Sequence, residues 1–136
     1  MKPKYMLDTN ICIYLMKHQP SQVRARFAEC FVGDVVISAI TFAELEFGVA
    51  CSERTRQANE FALAKFLQNI LVAPFEACAA KAYGPLCAAQ PERIKDALDK
   101  LIAAHAVSLG VTLVTNNEAD FREFQGLKVE NWVGGH

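Results

Sequence analysis

Short apolar, β-branched runs alternate with longer segments of helical period along the whole chain, and this alternation limits the fold more than any other feature. "KYML", "DVVISAI", "ILVAPF", "VTLVT" and "LKVENW" read as strands. "ICIYLMK" reads as a short helix that stops at "HQP", and "SQVRARFAECF" as an amphipathic helix with Ser21 at its start. "TFAELEFGVACS" and "RTRQANEFALAKFLQN" are helical. "EACAAKAYGPLCAAQ" is Ala-rich and is expected to kink or break near Gly84-Pro85. "ERIKDALDKLIAAHAVSLG" is the clearest helix, with Gly110 as its C-terminal stop. "EADFREF" adds a short helical turn. Strands that alternate with helices predict an α/β fold, a parallel sheet covered by helices, and such sheets bind ligands beyond the carboxyl ends of their strands.

The 136 residues suit one domain, 1–136, with a genuine core. A formal net charge of −1 argues against a nucleic-acid binder driven by bulk electrostatics, so a polyanion partner needs a local patch or bound cations. No apolar run is long enough to cross a bilayer, and "MKPKYMLD" lacks the apolar region of a secretory signal, so a soluble cytoplasmic protein with no membrane partner is expected. The five cysteines, Cys12, Cys30, Cys51, Cys78 and Cys87, contain no C-x-x-C pair and are expected to be buried free thiols.

The acidic residues follow the strands. Asp8 comes directly after the first, and Glu44 stands in the first turn of the helix after "DVVISAI". "NNEAD", with Asn117 and Asp120, follows "VTLVT". A helix in a βαβ unit runs antiparallel to its strands, which returns the start of the 92–109 helix, with Asp96 and Asp99, to the same edge. Each acid also has a plain structural role open to it. Asp8 can cap the helix near Ile11, Thr41 and Glu44 form a capping-box pattern, Asp99 can pair with Lys95, and Asp120 can cap the "FREF" turn. Their convergence on one edge favours a shared site.

Within the 92–109 helix, Ile94, Ala97, Leu98, Leu101, Ile102, His105 and Leu109 form the expected apolar stripe. Asp96 falls opposite it and pairs with Lys100 as a solvated surface charge, whereas Asp99 lies on its border, which favours Asp99 for the site. His105 falls inside the stripe and reads as a hydrogen-bonded core histidine. Clustered carboxylates repel, and a hard divalent cation, Mg²⁺ or Mn²⁺, resolves the repulsion with oxygen ligands alone. Metal-assisted phosphodiester hydrolysis is the chemistry such a site supports best.

"MLDTNICIYLMK", "ISAITFAELEFG", "LDKLIAAHAVSLGVTLVTNNEADF" and "GLKVENW", in this order and spacing, resemble the PIN-domain ribonucleases, and within them the VapC-type toxins of bacterial toxin–antitoxin pairs. The resemblance implies a three-layer α/β/α sandwich with a mainly parallel central sheet. It implies an endoribonuclease dependent on Mg²⁺ or Mn²⁺ that cuts a structured RNA such as tRNA. Asp8, Glu44 and Asp99 match the acidic site residues, with Asp8 and Asp99 on the metal. The fourth position falls on Asn117 or on Asp120, and Thr9 and Thr115 match supporting polar residues. The family also implies a homodimer and a cognate antitoxin whose C-terminal segment lies across the active-site groove.

The surplus apolar residues of "ICIYLMK" and "FAELEFGVACS" are the expected partner or dimer surface. Lys4 is singled out as an RNA contact for its closeness to Asp8 in sequence. Two competing readings are a non-catalytic RNA- or protein-binding module on the same fold, favoured by Asn117, and a DNA-directed structure-specific nuclease, for which the chain is short.

Overall fold

The computed structural model describes residues 2–89 and 97–134. Five short strands form one parallel sheet: β1 (Tyr5–Leu7), β2 (Val35–Ser38), β3 (Leu71–Ala73), β4 (Thr112–Val114) and β5 (Lys128–Glu130), in spatial order β3-β2-β1-β4-β5. The helices are α1 (Thr9–Met16), α2 (Ser21–Ala28), α3 (Ala39–Cys51), α4 (Arg56–Phe66), α5 (Ala77–Ala88), α6 (Ala97–Leu109) and the single turn α7 (Glu118–Phe121). A 3-10 turn, Leu67–Asn69, follows α4.

The period-2 geometry of each strand divides the core into two layers. Leu7, Val35, Ile37 and Val114 face a cluster completed by Ile11, Leu15 and Leu45 from α1 and α3. Met6, Val36, Ala73 and Leu113 face the opposite cluster, completed by Leu86 of α5 and by Ile102, Ala103 and Ala106 of α6. The central strands are covered on both faces, which is why they read as unbroken apolar runs.

The structure departs from the sequence reading at several points. α5 runs unbroken through Pro85. Proline removes one N–H from the ladder, and the packing of Ala79 and Leu86 outweighs that loss. Ser21 is the first residue of α2 and not its cap, since Pro20 holds the capping position without a side-chain bond. The buried face of α6 is rotated from the expected stripe: Lys100 is only 3% exposed, while Leu98 is 47% and Leu109 38% exposed. Small residues explain the rotation, because Ala103, Ala104 and Ala106 let neighbouring backbones approach closely and so turn the alanine face inward. Lys100 is therefore not the solvated surface charge that its spacing suggested. Its expected partner Asp96, with Lys95 and Ile94, lies outside the described residues. Cys51 and Cys78 are exposed, against the expectation of buried thiols throughout.

The end of α6 follows the sequence reading closely. Gly110 has φ +69°, its N–H donates to the Val107 carbonyl at 3.1 Å, and Val111 N–H donates to the Ala106 carbonyl at 3.2 Å. These paired bonds form a Schellman cap, which turns the chain directly into β4. Among the described residues, no helix is long and apolar enough to cross a membrane.

Candidate active site

Asp8 is the residue where β1 passes into α1. Its backbone N–H extends the ladder to the Val114 carbonyl at 3.0 Å, and its Oδ1 accepts the Ile11 N–H at 3.0 Å as the N-cap of α1. The capping role is therefore real, and it does not account for the rest of the surroundings. Asp8 is 5% exposed, and burial pushes its carboxyl above the ordinary value. The Thr115 hydroxyl and the Ile11 N–H oppose that push by bonding the carboxylate, while the nearby negative charge of Glu44 adds to it.

Glu44 reaches this position from the second turn of α3. The Thr9 hydroxyl donates to Glu44 Oε1 at 2.6 Å, which ties the first residue of α1 to α3. Thr115, fully buried one residue past β4, accepts the Asn117 N–H on Oγ1 at 2.9 Å. That bond occupies an acceptor site on the oxygen, and the hydroxyl hydrogen points to Asp8. The Thr115 N–H donates to the Glu130 carbonyl at 2.9 Å. β5 thereby holds this corner from the far side.

α3 starts differently from its sequence signature. Ser38 is the N-cap, its Oγ accepting the Ile40 N–H at 3.0 Å, so Thr41 and Glu44 lie inside the helix and not at a capping box. Thr41 Oγ1 is buried without a hydrogen-bond partner. Sequence reasoning missed Ser38 because the T-x-x-E pattern three residues later is the stronger capping signature. His105 is 1% exposed, shares a 2.8 Å hydrogen bond between Nδ1 and Ser38 Oγ, and packs edge-on to Phe75 at 5.3 Å. It is the hydrogen-bonded core histidine that its place on α6 suggested. Burial lowers its pKa, against the smaller opposing effects of the Pro74 carbonyl and Glu76.

The remaining expected residues spread along the rim. Asp99 is half-buried in the first turn of α6. His105, six positions further along that helix, meets Ser38 at the carboxyl end of β2, so the α6 segment carrying Asp99 enters from the carboxyl side of the sheet. Asp120 is exposed within α7, and its N–H donates to the Asn117 carbonyl at 3.0 Å. Asn117 is exposed and contributes its backbone N–H to Thr115. Lys4 precedes β1, whereas Asp8 follows it, which puts Lys4 on the amino edge of the sheet, opposite the acids. The Arg26 guanidinium bonds Glu130 Oε1 at 3.0 Å and lies over the Trp132 ring at 5.2 Å.

Among the described residues, no three His, Cys, Asp or Glu side chains form a metal-holding group. The Asp8–Glu44 pair nevertheless fits a hard divalent cation. Its donors are oxygens only, Asp8 is desolvated, and the two charges oppose each other. Mg²⁺ keeps several waters and is commonly held by one or two carboxylates together with substrate phosphate oxygens.

Comparison with known proteins identifies the family to which this fold belongs. Residues 5–127 match the PIN domain family. The chain is 38% identical over 131 residues to the tRNA(fMet)-specific endonuclease VapC of Shigella flexneri, covering 95% of this chain and 98% of that protein. It is 36% identical over 132 residues to the ribonuclease VapC2 of Haemophilus influenzae, covering 96% and 98% of the two. Among solved structures, VapBC2 from Rickettsia felis bound to a DNA fragment from its promoter superposes with a TM-score of 0.84 at 36% identity, covering 94% of this chain and 98% of that one. DNA-bound VapBC from Salmonella typhimurium gives 0.86 at 32% identity, covering 96% and 98%. With a parallel sheet in the order 3-2-1-4-5, acids along its carboxyl edge and full-length likeness to these ribonucleases, the chain belongs to the PIN-domain family, in its VapC group.

Proposed function

We propose that this protein is the toxin of a toxin–antitoxin pair, a cytoplasmic endoribonuclease that hydrolyses a phosphodiester bond in a structured RNA, with tRNA as the substrate class. The observation that carries the reading is the desolvated Asp8 carboxylate held beside Glu44 at the carboxyl edge of the sheet. Binding alone does not call for two like charges in one corner. The names of the relatives, endonuclease and ribonuclease, support the reaction class.

Asp8, with Asp99 entering from α6, would hold Mg²⁺ or Mn²⁺, and Glu44 lies near enough to Asp8 for the two charges to repel. The bound cation supplies Lewis-acid polarisation of the phosphoryl oxygen and a lowered pKa for the attacking water. Thr115 orients the Asp8 carboxylate, and Thr9 fixes the Glu44 oxygen that it bonds. Glu44 would accept a proton from the attacking water. Of the two positions open for a fourth acid, Asp120 has the carboxylate, whereas Asn117 acts through its N–H on Thr115.

The neighbouring VapBC structures support an antitoxin partner for this chain. A groove of about 220 Å³ between α1, α3 and α4 is lined by Ile13, Met16, Leu45 and Ala62 together with the site acid Glu44, and is the surface we assign to the antitoxin segment. Homodimer formation belongs to the same proposal.

The test is cleavage of purified tRNA by antitoxin-free protein with Mg²⁺ or Mn²⁺. Asp8→Asn and Asp99→Asn are each expected to lower the rate at least 100-fold, and EDTA to stop it. Cleavage that persists in EDTA, or in Asp8→Asn, overturns the proposal. The second reading, a non-catalytic binding module, is favoured by the absence of a three-carboxylate group among the described residues. Single-turnover cleavage with excess protein separates the two.

A further inference from the structure

We infer that His105 is a positioning residue for the nuclease site: its bond to Ser38 pins the start of the helix that carries Glu44 to the helix that carries Asp99. The bond joins residues 67 positions apart and is buried at both ends, with Ser38 fully inaccessible and His105 1% exposed. Ser38 Oγ is at the same time the N-cap acceptor of α3. One hydroxyl therefore sets where α3 begins and where α6 lies against it.

A spacer role alone explains this poorly. The rest of the buried face of α6 is largely aliphatic, and an imidazole buried there is costly to desolvate. An apolar side chain of similar size would avoid that desolvation. Through Nδ1 the imidazole bonds the hydroxyl that starts the Glu44 helix.

Glu44 lies six residues after Ser38 and Asp99 six before His105, which is about 9 Å of helix in each case. A tilt of about 6° at the pinned point would move either carboxylate by about 1 Å, a displacement on the scale of a 100-fold loss in rate.

The inference rests on the nuclease reading, so Asp8→Asn is assayed beside the new variants. His105→Leu removes the bond and keeps the bulk. His105→Asn restores a polar atom near the Nδ1 position. Ser38→Gly deletes the hydroxyl but keeps a residue that caps nearly as well as serine. The readouts are single-turnover cleavage of tRNA, KM for the RNA, and the Mn²⁺ concentration at half-maximal thermal shift.

His105→Leu and Ser38→Gly are expected to cut the rate about 10- to 100-fold and raise the Mn²⁺ midpoint about tenfold, with KM unchanged. His105→Asn should recover to within about threefold of the parent on both. Wild-type rate and midpoint in folded His105→Leu overturn the inference, as does an Asn variant no better than Leu. Should His105→Leu fail to fold, Ser38→Gly decides by the same criteria. Loss of cleavage in Asp8→Asn beside full activity in the pin variants overturns this inference alone, whereas cleavage surviving Asp8→Asn overturns the nuclease reading and this inference with it.

Discussion

The Thr9 hydroxyl donates to Glu44 Oε1 at 2.6 Å across 35 positions of sequence, so the residue after Asp8 restrains the neighbouring acid. α1 thus carries one site acid at its cap and orients a second through its first residue.

Thr9→Val keeps the shape of the side chain and deletes this bond. A hydrogen bond to a charged acceptor contributes about 1.5–3 kcal/mol when well buried, and Thr9 and Glu44 are only partly buried, so a loss of about 1 kcal/mol is expected in urea unfolding. Cleavage should fall about tenfold, because Glu44 is then free to rotate. An unchanged rate would show that the Glu44 orientation does not matter.

Asp8→Asn is expected to stabilise the metal-free protein at neutral pH while abolishing cleavage. The folded-state pKa of Asp8 is raised, chiefly by burial. The associated stability is fully present below the unfolded carboxyl value and is lost as pH rises through the folded one. At pH 7 the ionised group therefore opposes folding, and Asn, which can still accept the Ile11 N–H, removes that opposition. In EDTA the Tm should rise by about 2–4 °C, the shift of about 1 kcal/mol in a domain of this size. The advantage should shrink as the pH is lowered toward 4. A lower Tm in Asp8→Asn at pH 7 would contradict this.

The sheet and its acidic edge were legible in the sequence because strand and helix periods differ and because Asp8 and Glu44 each follow a buried strand closely. Asp8 also carried a capping signal, and both roles hold. What misled was local chemistry with two solutions. T-x-x-E at 41–44 is a sound capping box, yet Ser38 takes the cap because the chain leaves the sheet three residues earlier. Apolar spacing alone puts Leu98 and Leu109 on the inner stripe of α6, but close packing selects the alanines and buries Lys100. The Gly84-Pro85 pair suggested a break that tertiary packing overrides. Thr115 could be matched to a supporting role, but the bond from the Asn117 N–H that aims its hydroxyl depends on a turn geometry that no residue pattern specifies.

Trp132 is the chain's single tryptophan, 1% exposed, with its indole N–H donating to Glu130 Oε1 at 3.1 Å and its ring meeting Tyr5 edge-on at 5.4 Å. Arg26 covers its face. Trp132→Ala is expected to cost about 3–5 kcal/mol, and Arg26→Met about 1 kcal/mol through the lost cation–π contact and ion pair. Because Glu130 also receives the Thr115 N–H, Trp132→Ala should lower cleavage as well as stability. Urea unfolding, followed by tryptophan fluorescence in Arg26→Met and by circular dichroism in Trp132→Ala, checks both.

Gly110→Ala tests the hinge between α6 and β4. The site at φ +69° has open space for a methyl group, so the expected cost of about 1 kcal/mol is backbone strain alone. The rate of cleavage should be unchanged, because the cap lies at the end of α6 far from Asp99.

Cation binding should depend on pH in a way set by Asp8. A ligand must be deprotonated to bind a metal, so protonation competes with the cation. Because burial raises the Asp8 pKa, the competition extends to higher pH than for an ordinary exposed carboxylate. The Mn²⁺ concentration at half-maximal thermal shift should rise about tenfold for each unit of pH below the folded pKa and level off above it. In Asp8→Asn the midpoint should be much higher and should lack this inflection. Titrations from pH 4.5 to 8 measure it directly, and a midpoint independent of pH in the parent would remove Asp8 from the cation site.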